Sequence, residues 1–270
     1  MPNSVVPIGV QAFYAEMILA VDVGNTQTHL GVFEEVQLRH QWRLPTDPAA
    51  TPDQIASQVA GLFTMTGVSP QGLEGGIVST VVPRLGPVYE DLSERYLGQR
   101  ALVVGPDLKT GMPILLDNPR ELGSDRLVNA VSAFDKVGGA AITVDFGTST
   151  NFDAVSADGE YLGGAIGPGV EVSLEALASR AARLSSVDVS KPGDAIGKHT
   201  VAAVQAGFAY GFAGLVDGIV RRMAEELATP SRCIATGGIA ETIAPHCETI
   251  DEVDPLLTLT GLRLIYERNT

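Results

Sequence analysis

The sequence predicts an α/β protein built from two similar lobes that face each other across a cleft. One strand-turn-strand opening occurs twice in register, and segments with apolar residues at helical spacing follow it in each half. The first copy reads Ile18-Leu-Ala-Val-Asp22-Val-Gly24-Asn-Thr26-Gln-Thr28, the second Ala141-Ile-Thr-Val-Asp145-Phe-Gly147-Thr148-Ser-Thr150. With Asp22 laid on Asp145, Gly24 falls on Gly147 and Val32 on Val155 without a gap.

The elements can be justified in order. Residues 1–16 lack the basic start and unbroken apolar core of a signal peptide and are read as an N-terminal extension. Met17 opens the first strand, Glu34-Glu35 fills a turn, and residues 36–44 continue the meander. Thr51-Pro52-Asp53-Gln54 supplies an N-cap, a Pro at the first helical position and a Gln at the third, ahead of Ile55, Val59 and Leu62. Residues 77–81 and 101–104 read as buried strands bracketing a helix near 87–97. Ser124 is expected to cap a helix over 125–137, and the two lobes are divided as 17–122 and 123–270. In the second lobe Ala157-Asp158-Gly159 turns the chain into a strand over 160–166. Helices near 170–184 and 200–227, a strand over 233–236 and a last helix near 255–268 complete it. The 200–227 segment is apolar enough to raise a membrane span. Gln205, Asp217 and its Gly and Ala content make it a buried helix instead.

Composition narrows the function. Eighteen basic residues against 32 acidic ones give a formal charge of -14 over 270 residues. Such a surface repels nucleic acid and anionic membranes, so neither is expected as a partner. Cys233 and Cys247 show no C-x-x-C spacing and read as reduced thiols of a cytoplasmic protein. The four histidines form no zinc-ligand pattern.

A strand that ends in Asp and turns through Gly offers backbone N–H groups at its tip, where Asn25, Thr26, Thr148, Ser149 and Thr150 add donors. Two such loops across a cleft suit the β- and γ-phosphates of a nucleotide. A carboxylate beside phosphate calls for a cation between them, hence Mg²⁺ with or without a monovalent ion. Asp125, in Gly123-Ser124-Asp125-Arg126, reads equally well as a helix-capping residue or as a base for an acceptor hydroxyl, with Arg126 free to pair with an anionic group. Thr236-Gly237-Gly238 permits a flat base against the backbone, or is a tight strand-helix turn.

In order along the chain, Asp22-Val-Gly-Asn-Thr26, Thr80-Val-Val-Pro83, Gly123-Ser-Asp125-Arg126, Asp145-Phe-Gly-Thr148, Gly163-Gly-Ala-Ile-Gly-Pro-Gly169, Thr200 and Thr236-Gly-Gly238 resemble the motifs of type III pantothenate kinases. The resemblance runs from about Met17 to the C-terminus. It implies two duplicated actin-like (ribonuclease H-like) lobes and transfer of the ATP γ-phosphate to pantothenate, the first step of coenzyme A biosynthesis. It further implies that Asp22, Gly24, Asn25, Thr26, Gly147, Thr148, Thr150, Gly237 and Gly238 bind ATP, with Asp22 on Mg²⁺ and Asp145 on K⁺ or NH₄⁺. Asp125 would be the general base; Leu116, Gly123, Ser124 and Arg126 would surround pantothenate, with Thr200 entering from the partner of a homodimer. The Gly207, Gly211, Gly214, Gly218 ladder fits either a dimer contact or an intrachain one. This chain departs from the pattern at Leu116, where Tyr is common, at Asn151, where Thr is common, and at Glu171, where an apolar residue is usual. A kinase for another small hydroxyl compound and a nucleotide-responsive binding protein are the alternative readings.

Overall fold

A computed structural model describes residues 17–180, 187 and 193–270. The expected N-terminal extension and the end of the helix expected over 170–184 lie outside the described residues. Two five-stranded sheets share one topology. In the first, β1 (Met17–Val23), β2 (Gln27–Glu34) and β3 (Gln37–Pro45) form an antiparallel meander, and β4 (Leu73–Thr80) and β5 (Leu102–Val103) add in parallel beyond β1. The second repeats this with β6 (Ala141–Phe146), β7 (Ser149–Val155) and β8 (Tyr161–Pro168), then β9 (Arg232–Gly237) and β10 (Glu252–Val253).

Helices cover both faces of each sheet, which is why β1 and β6 are almost continuously apolar rather than alternating. Outside the first sheet lie α1 (Pro52–Thr66) and α2 (Leu85–Leu92), which runs on into a wider turn over Ser93–Leu97. Ile55, Val59, Phe63, Leu85 and Tyr89 pack there on Leu19, Val21, Leu30 and Val78. The capping box expected at Thr51 is present, its hydroxyl accepting from Gln54 N and the Gln54 side chain accepting from Thr51 N. On the second sheet's outer face, α4 (Val170–Arg180), α5 (Thr200–Leu227) and α6 (Ala240–Ile243) bury Val170, Phe212, Val216, Val220 and Ile243 against Ile142, Val144 and Phe152.

Between the sheets lie α3 (Ser124–Val137) and α7 (Leu257–Glu267), sharing one core. It joins Ile18, Ala20 and Ile77 of the first sheet to Ala141, Tyr161 and Ile234 of the second through Leu127, Val131, Leu259 and Leu262. The two helices are exchanged. Beyond its packing on α7, α3 follows the first sheet yet makes its main strand contacts with β6 and β7, and α7, placed by sequence with the second lobe, packs on β1, β2 and β4. Arg268 Nη1 donates to the Thr110 carbonyl, and the Asn269 amide brackets Lys109, so the C-terminus holds the connection between the lobes.

Two expectations are corrected. Ser124 is not the N-cap: Gly123 holds that position, and the Ser124 hydroxyl instead joins Ser79 (2.9 Å) and Thr80 (3.1 Å) of β4. The α5 helix buries one face only. It is the one helix among the described residues long and apolar enough, by length and composition, to cross a bilayer. Among the described residues, a Cβ added at Gly207, Gly211 or Gly214 would meet nothing within 4 Å, so this part of the ladder makes no close contact with them.

Candidate active site

The duplicated strands deliver Asp22 and Asp145 to equivalent places. Each lies one residue from the end of its sheet's central strand, on the face turned toward α3 and α7. The strand pairing sets a row of side chains beside each. In the first sheet it runs Ser79, Asp22, His29, Arg43, and in the second Thr236, Asp145, Asn151, Ile166. Asp125, in the first turn of α3, comes in between them.

Three carboxylates brought together with little solvent oppose one another's ionisation. Burial first, then the charges of Asp125 and Asp145, push the Asp22 carboxyl up to about 8, offset in part by a Ser79 hydrogen bond. Burial, then Asp125 and Asp153, push Asp145 up to about 7. Asp125 is raised by burial, which outweighs the Arg126 N–H donated to its Oδ1 (2.8 Å) and any help from the helix N-terminus. Asp22 Oδ1 is fully enclosed and has no hydrogen-bond partner. An orphaned buried carboxylate oxygen facing two further carboxylates fits a bound cation. No group of three His, Cys, Asp or Glu side chains among the described residues is arranged to hold a metal ion by itself. A cation held here would need water or phosphate to complete its shell.

The two loop tips meet. Thr26 Oγ1 and Thr148 Oγ1 stand 3.0 Å apart, and Asn25, Thr26, Gly147 and Thr148 are exposed. Gly24 and Gly147 spend their own N–H groups inside the turns, on the Gln27 and Ser149 carbonyls (both 3.0 Å). Thr150 is buried, and its hydroxyl donates to the Pro168 carbonyl (2.9 Å), so it braces β7 against β8 rather than facing the loop tip. Gly237 has φ 99°, and a Cβ there would lie 2.7 Å from Asp145 Oδ1 and 2.5 Å from the Phe146 carbonyl. Only glycine fits so close to that carboxylate. Gly238 faces open space.

On the acceptor side, Gly123 leaves room for the Asp125 carboxylate, whose Oδ1 would stand 2.6 Å from a Cβ at that position. Arg126 does not lie free. Its Nε and Nη2 reach Asp153 Oδ1 at 2.8 and 2.7 Å. Leu116 is half-buried beside Gly163, because residues 113–115 pair with Tyr161 at the start of β8. Thr200 is exposed at the start of α5, on a groove of about 740 Å³ that also includes Leu177, His199, Val204 and Gly207. It lies on α5, outside the second sheet, whereas the carboxylates line the inner faces.

Sequence reading missed four residues here. Asn129 donates to Asp145 (3.2 Å) and accepts from Thr258 (2.7 Å); its place one helical turn after Asp125 was the available signal. Asp153 and Tyr161 meet only through the β7–β8 pairing, which no local motif announces. Arg43 makes no hydrogen bond or ion pair among the described residues, yet its charge reaches both Asp22 and Asp145.

Comparison with known proteins supplies the family. The profile of the family Type III pantothenate kinase matches residues 18–222. A type III pantothenate kinase of Anaeromyxobacter dehalogenans (strain 2CP-C) is 49% identical over 253 residues, covering 94% of this chain and 100% of that protein. One of Myxococcus xanthus (strain DK1622) is 50% identical, covering 94% and 99%. Among solved structures, component A of the Acidaminococcus fermentans (R)-2-hydroxyglutaryl-CoA dehydratase superposes with TM-score 0.56 at 11% identity, covering 93% of this chain and 97% of that one. The ethanolamine utilization protein EutJ of Carboxydothermus hydrogenoformans gives 0.54 at 16%, covering 92% and 89%. At those identities the likeness speaks for the fold alone, an actin-like α/β fold with two similarly organised sheets. The motifs, the duplicated sheets and these relatives together place the chain in the type III pantothenate kinase family.

Proposed function

We propose that the protein transfers the γ-phosphate of ATP to the hydroxyl of pantothenate, in line, across the cleft between the two sheets. The observation that carries this reading is the convergence of Asp22, Asp125 and Asp145, with Asp22 Oδ1 enclosed and unpartnered. The exposed tips at Asn25–Thr26 and Gly147–Thr148 hold the phosphates, and ATP entry breaks the Thr26–Thr148 contact. Gly237 and Gly238 lie along the adenosine. Asp22 would hold Mg²⁺ and Asp145 a monovalent cation such as K⁺ or NH₄⁺; when bound, these ions neutralise charge on the phosphate oxygens.

Asp125 accepts the proton from the attacking hydroxyl. Burial raises its basicity, which suits that task, and Gly123 and the Arg126 N–H fix its orientation. Ser124 ties α3 to β4, so the base is positioned against the strand that pairs with Asp22. Leu116 and Arg126 border the acceptor. The uncovered Gly207, Gly211 and Gly214 face of α5 would pair with a second copy in a homodimer, bringing Thr200 to the partner's acceptor site. The acidic surface and reduced thiols fit a cytoplasmic enzyme without nucleic-acid partners.

The test is ADP release from Mg-ATP with pantothenate, in K⁺ and again in Na⁺ alone. Pantothenate-dependent release, faster in K⁺, is the expected result. ATP binding without release in the presence of pantothenate would overturn the reading.

A further inference from the structure

Asp153 is a fully buried carboxylate in the middle of a strand, and its Oδ1 gathers the donors around it. Its Oδ1 accepts from Arg126 Nε (2.8 Å), Arg126 Nη2 (2.7 Å) and the Tyr161 hydroxyl (2.6 Å), while Thr143 Oγ1 approaches Oδ2 at 3.4 Å. Space for the guanidinium is built in. Gly164 sits opposite Asp153 in β8, and a Cβ there would stand 2.7 Å from Arg126 Nη2 and 3.0 Å from Asp153 Oδ1.

Stability does not explain this arrangement. A buried ion pair rarely improves on an apolar contact of the same volume, and the other lobe makes the apolar choice. By strand pairing the position in β2 that corresponds to Asp153 is Gly31, which faces Ala20 as Asp153 faces Thr143. The second hairpin turn is one residue shorter than the first, so the gapless alignment expected of the two copies slips by one there. Gly31 is covered by Leu259 of α7. What the pair does achieve is orientation. Arg126 adjoins Asp125, and a free guanidinium would fold onto that carboxylate and neutralise it. Held from the far side by Asp153 and Tyr161, it leaves Nη1 without a partner among the described residues. The side chain remains 16% exposed, so an anion can reach it.

We propose that Asp153, braced by Tyr161, is a positioning residue that aims Arg126 Nη1 at the carboxylate of the acceptor lying beside Asp125. The proposal rests on the pantothenate reading, because it requires an acceptor that carries both a hydroxyl and a carboxylate. The clamp makes the enzyme discriminate in favour of that carboxylate and leaves nucleotide binding untouched.

The experiment compares pantothenate with pantothenol, in which an alcohol replaces the carboxylate, as acceptors for wild type, Asp153→Asn and Tyr161→Phe. The wild type should favour pantothenate, and Asp153→Asn should lower kcat/KM for pantothenate about 10- to 100-fold through KM. Its KM for ATP and its activity on pantothenol should stay at the wild-type level. Equal loss on both acceptors, or an unchanged preference, would overturn the proposal. Should Asp153→Asn not fold, Tyr161→Phe keeps the carboxylate and carries the same comparison with a smaller shift. The proton NMR signal of Arg126 Nε–H gives a readout without turnover: protected from exchange in wild type and lost in Asp153→Asn. A signal unchanged by the substitution sinks the clamp. A wild type that phosphorylates neither acceptor while showing the protected signal sinks the pantothenate reading instead.

Discussion

The two lobes share a strand order and an aspartate at the end of the central strand, yet they use their inner faces differently. In the first lobe, Ala20 and Gly31 sit against a leucine of α7. At the corresponding places in the second, Asp153, approached by the Thr143 hydroxyl, grips an arginine of α3. The row through Asp22 ends in a buried, neutral histidine and an arginine with no partner among the described residues. The row through Asp145 ends in Asn151 and Ile166. Duplication supplied the frame and the pair of carboxylates. The difference teaches that duplication kept the frame while the layer just beneath the shared aspartates became apolar in one copy and charged in the other.

The comparison can be broken most sharply at Asp125, which has no counterpart in the row of either lobe. Asp125→Asn should lower kcat about 10²- to 10⁴-fold with ATP affinity retained, as checked by steady-state kinetics and by titration calorimetry. Unchanged kcat would remove it from the base role.

Next come the paired glycines. A methyl at Gly164 would stand 1.9 Å from the Phe152 carbonyl, whereas at Gly31 it meets only the ends of Leu259 and Leu38 at 2.9 Å. Backbone cannot yield as side-chain ends can. Gly31→Ala should therefore cost about 1–3 kcal/mol and Gly164→Ala clearly more, compared by urea midpoints. Equal costs would mean that the two inner faces are equally tolerant, and the reverse order that the first is the less forgiving.

The carboxylates give a pH signature. Asp22 and Asp145 titrate near 8 and 7 in the folded chain against 3.8 when unfolded, so between about pH 4 and 8 the folded state holds more protons. Stability should fall as pH rises through that window and level off above it. Melting temperatures in a cation-free buffer would show the slope, and Asp22→Asn should flatten it. An unchanged slope in that variant would assign it elsewhere.

The smallest effect is expected where the lobes touch, at Thr26 and Thr148. A double-mutant cycle with Thr26→Val and Thr148→Val should give a coupling of about 0.5–1.5 kcal/mol without nucleotide, read from denaturant midpoints. Strict additivity would mean that the tips do not hold each other in solution.

Much of the frame was legible because its signals are local. The doubled Asp-x-Gly, the Thr51 box and the 200–227 helix each announce themselves within a few turns of chain. The carboxylate trio could be named from motifs for the same reason. The Arg126–Asp153–Tyr161 clamp could not, because it depends on hairpin register and on α3 lying against the second sheet. Ser124 was misread since an apparent cap residue also had a strand within reach, and the bond to β4 won. β10, two residues long, is too short to carry a pattern.

The exchange of α3 and α7 has a consequence for how the protein is made. The first sheet is complete by Val103, but the helix that covers its inner face begins at Leu257. On the ribosome, Ile18, Ala20, Phe33 and Ile77 therefore wait uncovered while the whole second sheet is synthesised. The lobes cannot mature one after the other: the molecule closes in a single late step, and a nascent chain stalled before α7 offers its bare apolar face to chaperones.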